Sequence, residues 1–155
     1  MHTVRRADLS DIPELCLLEC ECFSSPWSKG AFSESMREDS FLCFVCEIDG
    51  GVAGYAGGVC VADECSVTNV AVSEKYRRRG VATSLLDTLE SEAAALGVSA
   101  VYLEVRVSNE AAIRTYEGRG YVRCGQRRNF YTKPTEDAYV YKKELYKDKS
   151  RKTAG

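Results

Sequence analysis

Residues 77–83 read Arg-Arg-Arg-Gly-Val-Ala-Thr, three cations and a glycine set between the alternating apolar run ECSVTNVAVS and the helix-patterned run VATSLLDTLESEAAALG. A helix that begins at such a glycine directs unpaired N–H groups and roughly half a positive charge at whatever precedes it, and the missing Cβ lets an anion approach the backbone. Gly80, the small Ala82, the hydroxyl of Thr83 and the cationic side chains beside them are therefore the physical parts of a diphosphate cradle. The same three arginines could instead do no more than solvate a turn, and G-x-A alone is a weak signal. On these residues the choice between solvated turn and anion site stays open.

Eight cysteines offer a second possible chemistry. Cys43 and Cys46 form C-x-x-C, but they sit in FLCFVCEI, a strand-like run where residues three apart point to opposite faces and cannot share an ion. The lone histidine is His2, and there is no second C-x-x-C. The expectation is no metal, and reduced cysteines serving as small buried hydrophobes, with structural zinc as the alternative.

The chain of 155 residues, 45% apolar and 28% charged, suits one globular domain with a continuous core. A net charge of −2 supplies no global field toward nucleic acid or an anionic membrane. No apolar run approaches the roughly 20 residues of a membrane span, and MHTVRRADLSD lacks a secretory h-region. These features predict a cytoplasmic protein, a monomer or weak dimer, with no membrane and no direct nucleic-acid partner. Acids prevail from Glu14 to Asp49, whereas Arg77–Arg79, Arg127, Arg128 and the tail KKELYKDKSRK are basic.

The elements that must position this chemistry follow from periodicity. TVRRA predicts a strand, DLSDIPELCLLECECF a helix with Ser10 as N-cap, Pro13 in its first turn and Ile12, Leu15, Cys16 and Leu18 on its apolar face. KGAFSESMRED predicts a second helix. FLCFVCEID and VAGYAGGVCVAD predict a hairpin turning at Gly50 and Gly51, continued by ECSVTNVAVS as an antiparallel meander. The main helix then starts at Gly80 and ends at Gly97. VSAVYLEVR is a strand and EAAIRTYEGRG a short helix, so strand-helix-strand implies a parallel crossover. YVRCGQRRNFY and DAYVYKKEL close the chain as a hairpin. Residues 1–146 are expected to form one domain, and 147–155 a basic disordered tail.

Taken together, VTNVAVSEKYRRRGVATSLLDTLESEA and YLEVRVSNEAAIRTYEGRGY resemble the GNAT family of acetyl-CoA-dependent N-acetyltransferases, with their Q/R-x-x-G-x-G/A motif. LEVRVSNEAAIRTYEGRGY, with SPWS before it and RRNFY after it, is similar to the RimI type within that family, which acetylates the N-terminal alanine of the eighteenth small-subunit ribosomal protein. The resemblance spans Thr3 to Leu145. It implies an α/β fold with a mixed, mostly antiparallel sheet splayed at a central parallel strand pair and flanked by helices, with acetyl-CoA as co-substrate.

Carried over by position, the resemblance places Val70, Ala71 and Val72 along the pantetheine arm and Arg78, Arg79, Gly80, Val81, Ala82 and Thr83 around the pyrophosphate. Asn109 matches a further cofactor contact. Arg77 fills the motif's first position and shapes the turn, and Ala82 replaces the commoner glycine. Acetyl transfer to an amine needs a proton removed from the acceptor and benefits from one given to the departing thiolate. The resemblance assigns the first to Glu104 as general base and the second to Tyr116 as general acid. From the residues alone, Glu104 could equally be an exposed carboxylate or the ion partner of Arg106, and Tyr116 a packed aromatic. A backbone N–H between Val70 and Val72 is the candidate oxyanion donor. Direct transfer in a ternary complex needs no cysteine, since neither Cys65 nor Cys124 has a matched histidine base.

Trp27, Phe130 and Tyr131 are where the resemblance puts the peptide-facing surface; packing in the core is the other reading of Trp27 and Phe130. The expected partner is a protein N-terminus, that of a ribosomal protein. A broader N-acetyltransferase for other N-termini, lysine or small amines, and a non-catalytic CoA-binding or ribosome-associated module, are the alternatives.

Overall fold

The computed structural model describes residues 2–145; the predicted basic tail at 147–155 lies outside them. Seven strands form one sheet in the order β1-β2-β3-β4-β5-β7-β6. β1 (His2–Arg6), β2 (Phe41–Ile48), β3 (Gly51–Val61) and β4 (Glu64–Val72) make an antiparallel half. β5 (Ala100–Arg106), β6 (Val122–Tyr131) and β7 (Glu136–Glu144) make another, with β7 between β5 and β6. The halves meet in one parallel pair, β4 with β5. The expected mixed sheet, splayed and flanked by helices, is what is found.

Alternation along the strands divides the core in two. Leu42, Phe44 and Cys46 of β2 point to one face, under α3 (Val81–Ala95), where they meet Leu85, Leu86 and Leu89. Cys43 and Val45 point to the other, under α1 (Ile12–Cys22) and α2 (Lys29–Met36), where they meet Leu15, Leu18 and Phe32. Cys43 and Cys46 thus lie on opposite faces, as the period of two requires. All eight cysteines are free; Cys43, Cys46 and Cys65 are buried, whereas Cys20 and Cys124 are exposed and so depart from the expected buried role.

Local chemistry sets the element ends. Ser10 is not the first helix's cap: Asp8 caps a short 3-10 turn over Leu9–Asp11 by accepting from Ser10 N–H, and Asp11 reciprocates to the Asp8 N–H. The turn and α1 are continuous, with Pro13 where its missing N–H costs nothing. The β2–β3 turn falls at Asp49 and Gly50, one residue earlier than predicted, because both adopt positive φ (52° and 81°) as a two-residue hairpin demands. α3 ends as the sequence suggests. Gly97 sits at φ 91°, and the Val98 and Gly97 N–H groups return to Ala93 O and Ala94 O, both at 3.0 Å. α4 (Glu110–Gly118) follows β5 and packs on the α3 side through Ala112, Ile113 and Tyr116. No helix among the described residues is long and apolar enough to cross a membrane.

β3 and β4 approach closely at Gly54, where a Cβ would stand 2.8 Å from Ala71 O and 3.0 Å from Val81 Cγ1. Gly54→Ala is therefore expected to lower unfolding free energy by about 1–3 kcal/mol, the usual cost of overpacking. Urea denaturation checks this, and a wild-type midpoint would refute it.

Candidate active site

The parallel ladder between β4 and β5 is short: Glu64 pairs with Ala100, Cys65 with Val101 and Ser66 with Tyr102. Beyond it β4 carries a bulge. The register with β3 passes from Val67↔Gly58 to Asn69↔Gly57, leaving Thr68 unpaired, its hydroxyl donating to Gly57 O at 3.2 Å. A bulge bends its strand and sharpens the twist. β5 meanwhile stays paired with β7 up to Arg106↔Ala138. The two strands part, and a cleft of about 410 Å³ opens between them.

β4 presents bare backbone to this gap. Ser73 N–H donates to Ala53 O at 2.8 Å, and antiparallel pairs alternate between bonded and non-bonded, so Ala71 exchanges its bonds with Tyr55 while Val70 and Val72 turn theirs away from β3. Val72 O is taken by Arg77 Nε at 3.0 Å. Of the three residues expected along the pantetheine arm, Val70 and Val72 offer backbone groups. Ala71 does not, because its groups serve β3 and its side chain is buried under α1.

At the far end of β4 a 3-10 turn (Glu74–Tyr76) leads to Arg78 at φ 65° and Gly80 at φ 76°. Gly80 is the N-cap of α3 with no side-chain cap, and the first helical bond runs from Ser84 N to Gly80 O at 3.0 Å. The N–H groups of Val81, Ala82 and Thr83 thus face out of a 15-residue helix start. A Cβ at Gly80 would meet nothing within 4 Å, so the left-handed φ is what favours glycine here. Arg78, Arg79 and Thr83 are exposed beside it, with Arg79 over the Tyr76 ring at 5.6 Å, while Val81 buries its side chain in the core. Arg77 is spent locally, on Val72 O and on Cys22 Sγ at 3.7 Å. Together the N–H groups and free cations suit a diphosphate, and the bared β4 edge suits an amide-bearing arm. This turn does not itself line the cleft.

Glu104, Asn109, Tyr116, Trp27, Phe130 and Tyr131 all do line it. Val101, Leu103 and Val105 of β5 are buried on the α3 side, so the alternate Glu104 faces the α1 side. Its side chain is 25% exposed and lies 3.4 Å from Arg127 Nε. Arg106 is not its partner. That guanidinium bonds Glu136 at 3.2 Å and Thr132 O at 3.1 Å, and stacks on Tyr131 at 4.4 Å. Tyr116 comes from α4, packed edge-on against Tyr121 at 5.9 Å. Burial, reinforced by Tyr131, pushes its phenol up to about 12. Asn109 caps α4, its Oδ1 accepting from Ala112 N at 3.2 Å. Trp27 is half-buried, stacked on Phe41 at 6.0 Å, and Phe130 is exposed on β6 against Tyr131 at 5.0 Å.

Several residues of the cleft were not foreseen as part of a site, Glu19 among them. Glu19 of α1 is fully buried and accepts from Trp27 N–H (2.7 Å), Tyr55 O–H (2.5 Å) and Asn69 Nδ2 (2.9 Å). A signal existed: Glu19 lies four residues after Leu15, on the apolar stripe of its helix. Its carboxylate raises the pKa of Tyr55, second to burial itself. Among the described residues no three His, Cys, Asp or Glu side chains converge as metal ligands.

Comparison with known proteins identifies the site's setting. The model of the acetyltransferase (GNAT) family matches residues 12–121. The [ribosomal protein bS18]-alanine N-acetyltransferase of Escherichia coli (strain K12) is 35% identical over 142 residues, covering 90% of this chain and 95% of that protein. An N-alpha-acetyltransferase of Sulfurisphaera tokodaii is 30% identical, covering 90% of each. The crystal structure of the Escherichia coli ribosomal-protein-S18-alanine N-acetyltransferase superposes with a TM-score of 0.87 at 33% identity, over 96% of both chains. The chain therefore belongs to the GNAT family of N-acetyltransferases.

Proposed function

We propose that the protein transfers the acetyl group of acetyl-CoA to the α-amine of a protein N-terminus, with the N-terminal alanine of the eighteenth small-subunit ribosomal protein as its acceptor. The observation that carries this is the parted β4–β5 pair, which gives Glu104 and Tyr116 walls of one cleft while β4 runs on to the Gly80 turn. The two relatives described above are named as an alanine N-acetyltransferase of ribosomal protein bS18 and as an N-alpha-acetyltransferase, which supports the α-amine over a lysine side chain.

Acetyl-CoA supplies an acyl group activated as a thioester. The Val81, Ala82 and Thr83 N–H groups, with Arg78 and Arg79, hold its diphosphate, where helix dipole and guanidinium charge add. The Val70 C=O and the Val72 N–H pair with the pantetheine amides, and the Val70 N–H stabilises charge developing on the acetyl oxygen. Glu104 takes a proton from the acceptor ammonium, directly or through water. Tyr116 O–H gives one to the departing sulfur. Transfer is direct. Cys22 is the cysteine that lines the cleft, but burial raises its pKa and the only histidine, His2, bonds Ser84 instead.

Incubation with acetyl-CoA and peptides beginning Ala, Ser or Met, beside an N-blocked lysine peptide, is expected to add acetyl to the alanine α-amine, located by mass. Modification of lysine alone refutes the proposal. Glu104→Gln is expected to lower kcat by roughly 10²–10⁴-fold; CoA binding by calorimetry should stay intact, and unchanged turnover refutes the base role. Tyr116→Phe is expected to lower kcat with little change in the KM for acetyl-CoA; steady-state kinetics in which only that KM moved would refute the acid role.

A further inference from the structure

Two carboxylates line the cleft, and their surroundings differ. Glu104 has Arg127 beside it. Glu19 is buried completely and forms no ion pair among the described residues. Its oxygens are served by three neutral donors: the Trp27 N–H on Oε1, and the Tyr55 hydroxyl and Asn69 Nδ2 on Oε2. The carboxyl group on this wall of the cleft is thus met by three dipoles and by no cation among the described residues.

A carboxylate only accepts, so Glu19 decides which way the Asn69 amide points. Nδ2 must face Glu19, and Oδ1 must face away. Oδ1 is itself buried and has no hydrogen-bond partner among the described residues, a costly state for a carbonyl oxygen. Donation from Nδ2 to a carboxylate also polarises the amide, leaving Oδ1 more negative and a stronger acceptor than an ordinary side-chain amide. Asn69 follows the Thr68 bulge and precedes Val70, and its side chain lies on the same face of the sheet as Glu104.

We propose that Asn69 Oδ1 is a binding contact for the acceptor amine, and that Glu19 is the positioning residue that orients and polarises it. The proposal rests on reading the cleft as a site of acetyl transfer to a primary amine. A primary ammonium carries three N–H donors. One proton leaves to Glu104, and a remaining N–H donating to Asn69 Oδ1 keeps the nitrogen in place with its lone pair free to attack. Because Glu19 also holds the Trp27 N–H, the same carboxylate sets the loop that walls the acceptor side.

Replacing Glu19 by Gln turns one acceptor oxygen into a donor. Oε1 can still serve Trp27, but the new Nε2 faces Asn69 and favours the reversed amide, with Nδ2 toward the cleft. Glu19→Gln is therefore expected to raise the acceptor KM roughly ten- to a hundredfold, the size of a hydrogen bond to a charged group, with the KM for acetyl-CoA unchanged. The double variant Glu19→Gln/Asn69→Asp restores an acceptor oxygen on the cleft side and is expected to recover most of that loss. Asn69→Ala, which keeps the Glu19–Tyr55–Trp27 bonds, should reproduce the acceptor-only effect if Glu19→Gln folds poorly. All variants are assayed with whichever peptide amine the wild type modifies. A wild type that chose lysine would refute the α-amine reading and still test this contact. An acceptor KM left unchanged in Asn69→Ala, a parallel rise in both KM values, or a double variant no better than Glu19→Gln would overturn the proposal.

Discussion

Parallel pairing between β4 and β5 stops after Ser66 and Tyr102, and the rest of the active centre depends on that stop. A strand that leaves its neighbour exposes backbone donors and acceptors that must be satisfied some other way. At Val72 the protein itself does so, through Arg77. At Val70 the groups face the cleft, where an amide-bearing ligand can complete them. The bulge at Thr68 is the local cause, and the close approach of β3 and β4 at Gly54 keeps the rest of β4 in place while it bends away from β5.

α1 links the two ends of the bent strand. Glu19 accepts from Asn69 Nδ2 and from the Trp27 N–H at the wall of the cleft. Two residues on, Glu21 accepts from the Glu74 N–H at 2.7 Å and from Ser73 Oγ at 3.2 Å, fixing the entry to the turn before Gly80. Cys22 donates to Val72 O and receives from Arg77. Buried Glu19 is also tied to Tyr55 on β3, so the helix is registered against both strands of the hairpin. A shift of α1 would disturb the Trp27 wall of the cleft and the turn before Gly80 together.

Elements were legible in the sequence wherever one physical rule dominated. The period of two placed Cys43 and Cys46 on opposite faces, and Gly97 announced the end of α3 because a left-handed residue was needed there. Ser10 misled because Asp8, Ser10 and Asp11 are all capping types and only the three-dimensional turn chooses among them. The positions of Glu104 and Tyr116 on the cleft could be anticipated from motif order, but the partner of Glu104 could not. Arg106 is two residues away on the same strand, yet it is drawn to Glu136 and Tyr131 across β7 and β6, while Arg127 reaches Glu104 from β6. Ala71 shows the same limit: neighbouring Val70 and Val72 differ from it only by hydrogen-bond phase, which depends on pairing with β3 and is invisible in composition. Glu19 was hidden because a glutamate on a charged helix reads as solvated until its three donors are seen.

Glu104 on β5 and Tyr116 on the following α4 belong to the second half of the fold, whereas the bared backbone of Val70 belongs to the first. Their separation is set by what joins the halves, and three residue pairs of ladder are a thin joint. A second joint lies on the α3 face. Glu90 of α3, almost fully buried, accepts from Lys143 of β7 at 2.7 Å, from Arg119 just after α4 at 2.9 Å and from Tyr121 O–H at 2.9 Å. Asp87 adds a second carboxylate to Arg119 at 2.8 Å. A buried carboxylate met by two cations and a hydroxyl is fully satisfied and tolerates little displacement. Tyr121 in turn packs on Tyr116, and Tyr141 O–H donates to Glu117 at 2.8 Å. Tyr116 is therefore braced on its own side of the sheet by α3, the same helix whose first turn leaves the Val81, Ala82 and Thr83 N–H groups without helical partners. One rigid element thus carries the Gly80 turn at its start and, through Glu90 and Tyr121, sets where Tyr116 stands on the wall of the cleft.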